Sequence, residues 1–385
     1  MDNTIKPFKI HFSDADIADL KQRLHLTRWP DQIPNTEWRY GAKTDYIQQL
    51  CDYWQHHYDW RKHEARLNQF AQFTTRIDAH DIHFIHARSK HANAVPLLIS
   101  HGWPGTIVEF LNVIDPLTNP EAHGGKAEDA FHVVCPSLPG YGFSGTTQRE
   151  QVDTLAMAEM FAELMARLGY EKYIAQGGDW GAIITSNLAI VDADHLYGIH
   201  LNMPFGYALT EDPHEGLSPQ EIDDVNAMSS FEAMETGYQK IQGTKPQTLG
   251  VGLNDSPAGL CAWITEKFYT WMDCDGDIES VLDKDELLTN ISVYWFTQSI
   301  CSSTRLYYEV TQNARLKFLE QPVTVPLGVA RYPKEVMRFP RQWCENVYTQ
   351  IVHWQDFDRG GHFAAMERPA EFLAEIRKFR ALVCD

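Results

Sequence analysis

The chain has 385 residues, with 33 Lys and Arg against 52 Asp and Glu, a formal net charge of −19. Hydrophobic residues at 44% and charged residues at 22% describe a globular chain with material for a sizeable core, and exclude a disordered one. The acidic balance argues against nucleic acid and anionic membranes as partners, because both need a basic face.

The first residues, MDNTIKPFKI, put no apolar segment behind a basic one, and no run approaches the ~18 apolar residues of a spanning helix. A cytoplasmic chain without a membrane anchor is expected. Ser13 and Asp14 cap a helix predicted over residues 15–24, and Pro30 and Pro34 break the chain after it. Tyr46, Ile47, Leu50, Tyr53 and Trp54 share one face of a second helix predicted over 44–59. Residues 73–87 alternate apolar and polar side chains, as antiparallel strands do. The pattern changes at Val95. Short apolar runs at 95–100, 131–135, 173–176, 198–201 and 325–330 each end at a Pro, Gly or polar residue, as buried parallel strands do. Met157, Met160, Phe161, Leu164, Met165 and Leu168 give an amphipathic helix that Gly169 can end. Residues 218–319 break the rhythm with mostly helical sequence, as an insertion over the carboxyl ends of the strands would. A last helix follows Pro369 and turns Phe372, Leu373, Ile376 and Phe379 inward.

Seven cysteines (Cys51, Cys135, Cys261, Cys274, Cys301, Cys344 and Cys384) show no CxxC spacing, so neither a disulfide framework nor a zinc site is expected. His80, His83 and His86 fit neither one helix face nor a known ligand pattern. Three other motifs carry chemistry. Gln176-Gly-Gly-Asp-Trp-Gly181 follows a predicted strand and precedes a helix predicted over 180–190, with glycine two places before and after Asp179. That is the pattern of a nucleophile elbow, with Asp where serine is usual. The plain alternative is a turn in which Asp179 caps the helix. His101-Gly-Trp-Pro-Gly105 ends the first core strand, and the amides of Trp103 and Trp180 are the candidate donors to an oxyanion. Arg359-Gly-Gly-His362 places a histidine on a loop before the last helix. A carboxylate must orient such a histidine. Glu335, just after the strand at 325–330, is the first candidate, with Asp356 and Asp358 behind it.

Together and in this order, these motifs resemble those of the epoxide hydrolases related to the microsomal enzyme, a branch of the α/β-hydrolase superfamily. Thr27-Arg-Trp-Pro30 resembles that family's N-terminal segment, His101–Gly105 its oxyanion motif, Gly177–Gly181 its nucleophile motif, and Tyr332-Pro-Lys-Glu335 and Gly360-Gly-His362 its charge-relay motifs. Thr236-Gly-Tyr238 and Arg305-Leu-Tyr-Tyr-Glu309 resemble the segments that carry two ring-opening tyrosines, which assigns Tyr238 and Tyr307, with Tyr308 the alternative to the latter. The resemblance implies an α/β-hydrolase fold in three parts. These are an N-terminal meander over 1–94, a mostly parallel core over 95–217 and 320–385, and a helical lid over 218–319. It implies hydrolysis of an epoxide to a vicinal diol, with no metal or cofactor. A small-molecule epoxide is the partner, and a homodimer is compatible with it.

The chemistry suits these residues. An epoxide has no carbonyl and opens by displacement at carbon, so a carboxylate is a competent nucleophile and Asp179 becomes an ester. The leaving oxygen is a basic alkoxide, which two phenols can protonate. A neutral His362, oriented by Glu335, would then activate water against that ester, with the oxyanion at Trp103 and Trp180. A haloalkane dehalogenase would share Asp179 but not need the tyrosines. A catalytically silent ligand-binding member of the fold would be expected to have lost at least one of these groups.

Overall fold

The apolar runs from Val95 onward become the middle of a sheet in the computed structural model, which describes residues 3–384. The strands are β1 Lys6–Phe8, β2 Gln72–Ile77, β3 His80–Ala87, β4 Val95–Ser100, β5 Phe131–Pro136, β6 Tyr173–Gly177, β7 Leu196–Leu201, β8 Leu327–Arg331 and β9 Ile351–Asp356. They lie side by side in the order β1-β2-β3-β5-β4-β6-β7-β8-β9. β1, β2 and β3 pair antiparallel and β3 meets β5 antiparallel, while β5 through β9 are parallel. Leu97, Ile99, Val133, Ile174, Ala175 and Val329 are fully buried, as strands covered on both faces require. The helix Leu111–Thr118 packs with Pro369–Cys384, and Thr154–Arg167 packs with Trp180–Val191.

Local chemistry explains where the structure departs from the sequence reading. The helix expected over 44–59 stops at His56, and Asp59 instead caps a further helix, Trp60–Leu67, by accepting from Arg61 N–H at 3.0 Å. The strand expected from Val325 begins at Leu327, because Pro326 has no N–H for a ladder and only its carbonyl pairs, with Ile199 N at 2.9 Å. β1 and β9 escaped notice for want of an apolar run: β1 is three residues with a central proline, and β9 is a half-buried edge. The alternating segment 73–87 folds into β2 and β3 around Asp78 and Ala79, both at positive φ (48° and 63°), which is the twist a two-residue hairpin loop needs.

Between β7 and β8 the chain forms the helices Pro219–Met234, Gly237–Gln242, Pro246–Asp255, Pro257–Trp271, Lys284–Thr297, Ile300–Asn313 and Lys317–Glu320. Their starts are written locally. Ser218 and Glu221 make a reciprocal cap before Pro219, Ser256 caps the helix opened by Pro257, and Asp283 caps Lys284–Thr297. Among the described residues, no helix is long and apolar enough to cross a membrane.

Candidate active site

β6 ends at Gly177, and two residues later Asp179 turns the chain into the helix Trp180–Val191. Asp179 sits at φ 50° and ψ −130°, a conformation that costs a non-glycine residue about 1–3 kcal/mol and persists only where its surroundings enforce it. The enforcement is close packing of backbone. A Cβ on Gly177 would stand 2.1 Å from the Gly181 carbonyl oxygen, and one on Gly181 would stand 2.1 Å from that of Ser100. Only glycine lets strand and helix meet this closely, and the turn then aims the carboxylate at the loop after β4.

That loop receives it. Trp103 N–H donates to Asp179 Oδ1 at 2.7 Å, and a Cβ on Gly102 would overlap the same oxygen at 2.1 Å. Trp180 N–H, the other expected donor, makes no hydrogen bond to Asp179 among the described residues. The loop is pinned from behind. His101 Nε2 accepts from Leu138 N–H at 3.2 Å, so its Nδ1–H donates to the Gly102 carbonyl at 2.9 Å, and burial pushes the imidazole down to about 4, keeping it neutral. Asn290 holds the loop from the helix Lys284–Thr297, donating to the Pro104 carbonyl and accepting from Thr106 Oγ1, each at 2.8 Å. One turn on, Tyr294 OH donates to the Gly105 carbonyl at 2.8 Å.

His362 approaches the other oxygen. Its Nε2 lies 3.2 Å from Asp179 Oδ2 and its Nδ1 2.5 Å from Glu335 Oε1, which also accepts from Val336 N–H. Burial disfavours a charged imidazole, but the charges of Glu335 and Asp179 outweigh it and hold His362 well above its ordinary value. In the free site this favours the imidazolium form between the two carboxylates, whereas the neutral base expected from the sequence belongs to the later, esterified stage. The alternatives to Glu335 are elsewhere. Asp356 pairs with Arg331 at 3.1 Å and with Arg338, and Asp358 is exposed.

The two tyrosines converge as well. Tyr238 lies parallel to the Trp103 ring, with centroids 5.3 Å apart. Tyr307 meets Tyr238 edge-on at 5.8 Å and Trp180 at 4.8 Å. Burial raises both phenols, and the Asp179 charge raises them further, so both keep their protons at neutral pH. Tyr307 is 3% exposed, whereas Tyr308 is 40% exposed on the outer side of the same helix. The histidines 80, 83 and 86 are hydrogen-bonded apart from one another. His83 lies between Ser137 and Gln72, His86 meets Tyr170, and His80 accepts from Gln148.

Several groups at the site gave no sequence signal that the motif reading used. Asn290 and Tyr294 lie one turn apart on a helix that also buries Thr289 and Ser292, so no single polar position on it stands out. Asp273 accepts from Gly360 N–H at 2.8 Å and pairs with Arg359, and Glu367 accepts from Asp273 N–H and Phe363 N–H at 2.8 and 2.9 Å. Both fix the loop that carries His362. Glu109 fills the space beside Gly105, where a Cβ would fall 1.4 Å from its Oε1. Burial raises the Glu109 carboxyl to about 8, the His362 charge opposing and the Asp179 charge adding to the rise.

The chain is similar to known proteins in sequence and in fold. Residues 5–110 match the family model described as the epoxide hydrolase N terminus, and residues 95–246 match the model of the alpha/beta hydrolase fold. Epoxide hydrolase 1 of Oryctolagus cuniculus is 39% identical, over 99% of this chain and 90% of its own length. The chain belongs to the epoxide hydrolase family. This hydrolase superposes on the crystal structure of juvenile hormone epoxide hydrolase from Bombyx mori with a TM-score of 0.90 and 36% identity, over 98% of this chain and 94% of that one. For the epoxide hydrolase of Aspergillus niger the TM-score is 0.88 and the identity 32%, over 99% and 97% of the two chains. Enzyme class and α/β-hydrolase fold agree with the reading from the motifs.

Proposed function

We propose that this epoxide hydrolase opens its substrate through a covalent ester on Asp179 and releases the vicinal diol by hydrolysing that ester. The observation that carries this reading is the pair of oxygens on Asp179. Oδ1 is held by the Trp103 amide, and Oδ2, beside His362, is left as the nucleophile. Oδ2 attacks an epoxide carbon, the carbon–oxygen bond breaks, and the departing oxygen takes a proton from Tyr238 or Tyr307. The inserted helices supply both phenols and act as the lid.

Esterification removes one of the two anions that hold the proton on His362. Its affinity for the proton falls, the proton passes to the phenolate, and the imidazole becomes the base for the second step. Neutral His362 takes a proton from water, and the hydroxide attacks Cγ of Asp179. The oxyanion forms at the atom already bound to Trp103 N–H, with Trp180 N–H as second donor. Each such donor is worth about 3 kcal/mol. The tetrahedral centre collapses, His362 returns the proton to the leaving diol oxygen, and the Asp179 carboxyl reprotonates His362. Glu335 orients the ring and keeps its charge balanced throughout. The residues alone balance every proton.

A dehalogenase would use the same carboxylate, but halide needs no proton, and two buried phenols beside Asp179 favour an alkoxide leaving group. A single turnover in 18O-labelled water, with enzyme in excess over styrene oxide, tests the route. Label in the carboxyl of Asp179 and none in the diol supports the ester. Label in the diol on the first turnover would mean direct attack by water. Bromide release from a 1-bromoalkane at a matching rate would favour the dehalogenase.

A further inference from the structure

Lys267 has no part in the chemistry above, yet its position is unusual for a lysine. It lies on the helix Pro257–Trp271 with a side chain only 6% exposed, where a long cationic side chain ordinarily runs out to water. Its Nζ stands 4.6 Å from the centroid of the Tyr238 ring and 5.8 Å from that of Trp271. Its carboxylate partner is the neighbouring Glu266, at 2.5 Å. The ammonium is thus buried with an aromatic face as part of its environment, an arrangement that is strongest when desolvated.

We propose that Lys267 is a positioning residue for ring opening, its ammonium stabilising the phenolate left when Tyr238 gives its proton to the opening epoxide oxygen. The inference rests on the role assigned to Tyr238. The neutral phenol attracts the cation only through its ring quadrupole, whereas the phenolate attracts it as a full charge. The contact therefore strengthens as the proton leaves, and such an interaction lowers the barrier. The carboxylates around the ring oppose that charge, and the His362 imidazolium is engaged by Asp179 and Glu335. Asp179 and Glu266 carry negative charge toward Tyr238, Tyr307 offers a hydrogen bond, and Glu235 faces Lys267 and Glu266 from the adjoining turn. Lys267 is the cation against this ring. No proton moves to or from Lys267. The phenolate recovers its proton from His362 as before.

The test is the rate of ester formation on Asp179, read by rapid quench and peptide mass, in Lys267→Met, Lys267→Arg, Tyr238→Phe and the double variant Tyr238→Phe/Lys267→Met. Lys267→Met should slow ester formation about tenfold at pH 7 while ester hydrolysis stays within about twofold, and Lys267→Arg should restore most of the loss. In the Tyr238→Phe background, Lys267→Met should add nothing. Equal slowing in both backgrounds would reduce Lys267 to a packing role and overturn the proposal. If Tyr238→Phe slows ester formation and Lys267→Met does not, the inference fails and the role of Tyr238 stands. If Tyr238→Phe itself has no effect, that role fails and takes the inference with it. Should Lys267→Met not fold, Glu266→Gln gives the opposite test. Removing the anion and keeping the cation should speed ester formation, and an unchanged or lower rate would overturn the proposal.

Discussion

Asp179 could be read from sequence because its geometry demands glycine on both sides, and glycine leaves a mark. Its partners were less legible. Tyr307 and Tyr308 are consecutive residues, and one step along a helix is a rotation of about 100°. No spacing within the motif says which face is inward, and burial does. The charge on His362 depends on carboxylates 183 and 27 positions away, so no local pattern could reveal it. Three outcomes follow at this scale. Tyr238→Phe and Tyr307→Phe should each slow ester formation by at least about tenfold in single-turnover kinetics, leaving the partner phenol to sustain the remainder. In the proposed mechanism ester hydrolysis needs neutral His362, and the esterified site has lost the anion of Asp179. Its acid limb should therefore fall at lower pH than the titration of His362 in the free enzyme, which NMR of the imidazole can follow. Glu109 is raised from the ordinary 4.5 to about 8, so the folded state binds this proton more tightly. The stability it contributes is full below pH 4.5 and is lost as pH rises through 8. Glu109→Gln should gain in Tm relative to the parent as pH goes from 5 to 8, and a constant Tm difference would contradict the burial of that carboxyl.

At the scale of elements, the sequence revealed those whose side chains repeat. The core strands read as apolar runs, and the helix Thr154–Arg167 showed its stripe and its stop at Gly169, where φ is 80°. The misreadings came where one residue outweighs the pattern. Asp59 recaps a helix, Pro326 delays a strand, and β9 pairs by backbone without an apolar run. The join between the helix Lys284–Thr297 and the loop after β4 was also invisible, since Thr106 and Asn290 are 184 positions apart. That join makes a clear prediction. Asn290→Ala leaves the Pro104 carbonyl and the Thr106 hydroxyl buried without this partner, at a cost of about 1–3 kcal/mol. Urea unfolding should show the loss. The looser loop should also slow ester hydrolysis, where the proposal gives Trp103 N–H the oxyanion, more than it alters substrate binding.

Across the whole molecule, the inserted helices are tied to the sheet at both ends of the site. Near the end of β8, Asp224 pairs with Arg331 and Arg338 at 2.5 and 2.6 Å, buried beneath the first inserted helix. At the histidine loop, Asp273 and Glu367 join the end of the helix Pro257–Trp271 to the backbone around His362. His362 is thus held as much by the inserted helices as by the core, a dependence between segments remote in sequence. Asp273→Ala should accordingly lower ester hydrolysis more than ester formation, since the proposed mechanism uses His362 as base only in the second. The central claim is that Asp179 becomes the ester, and intact mass tests it most directly. His362→Gln mixed with styrene oxide should gain the mass of the whole epoxide, mapped to the peptide that holds Asp179, and keep it because the second step is blocked. Continued diol release by that variant with no adduct at any time would contradict the account.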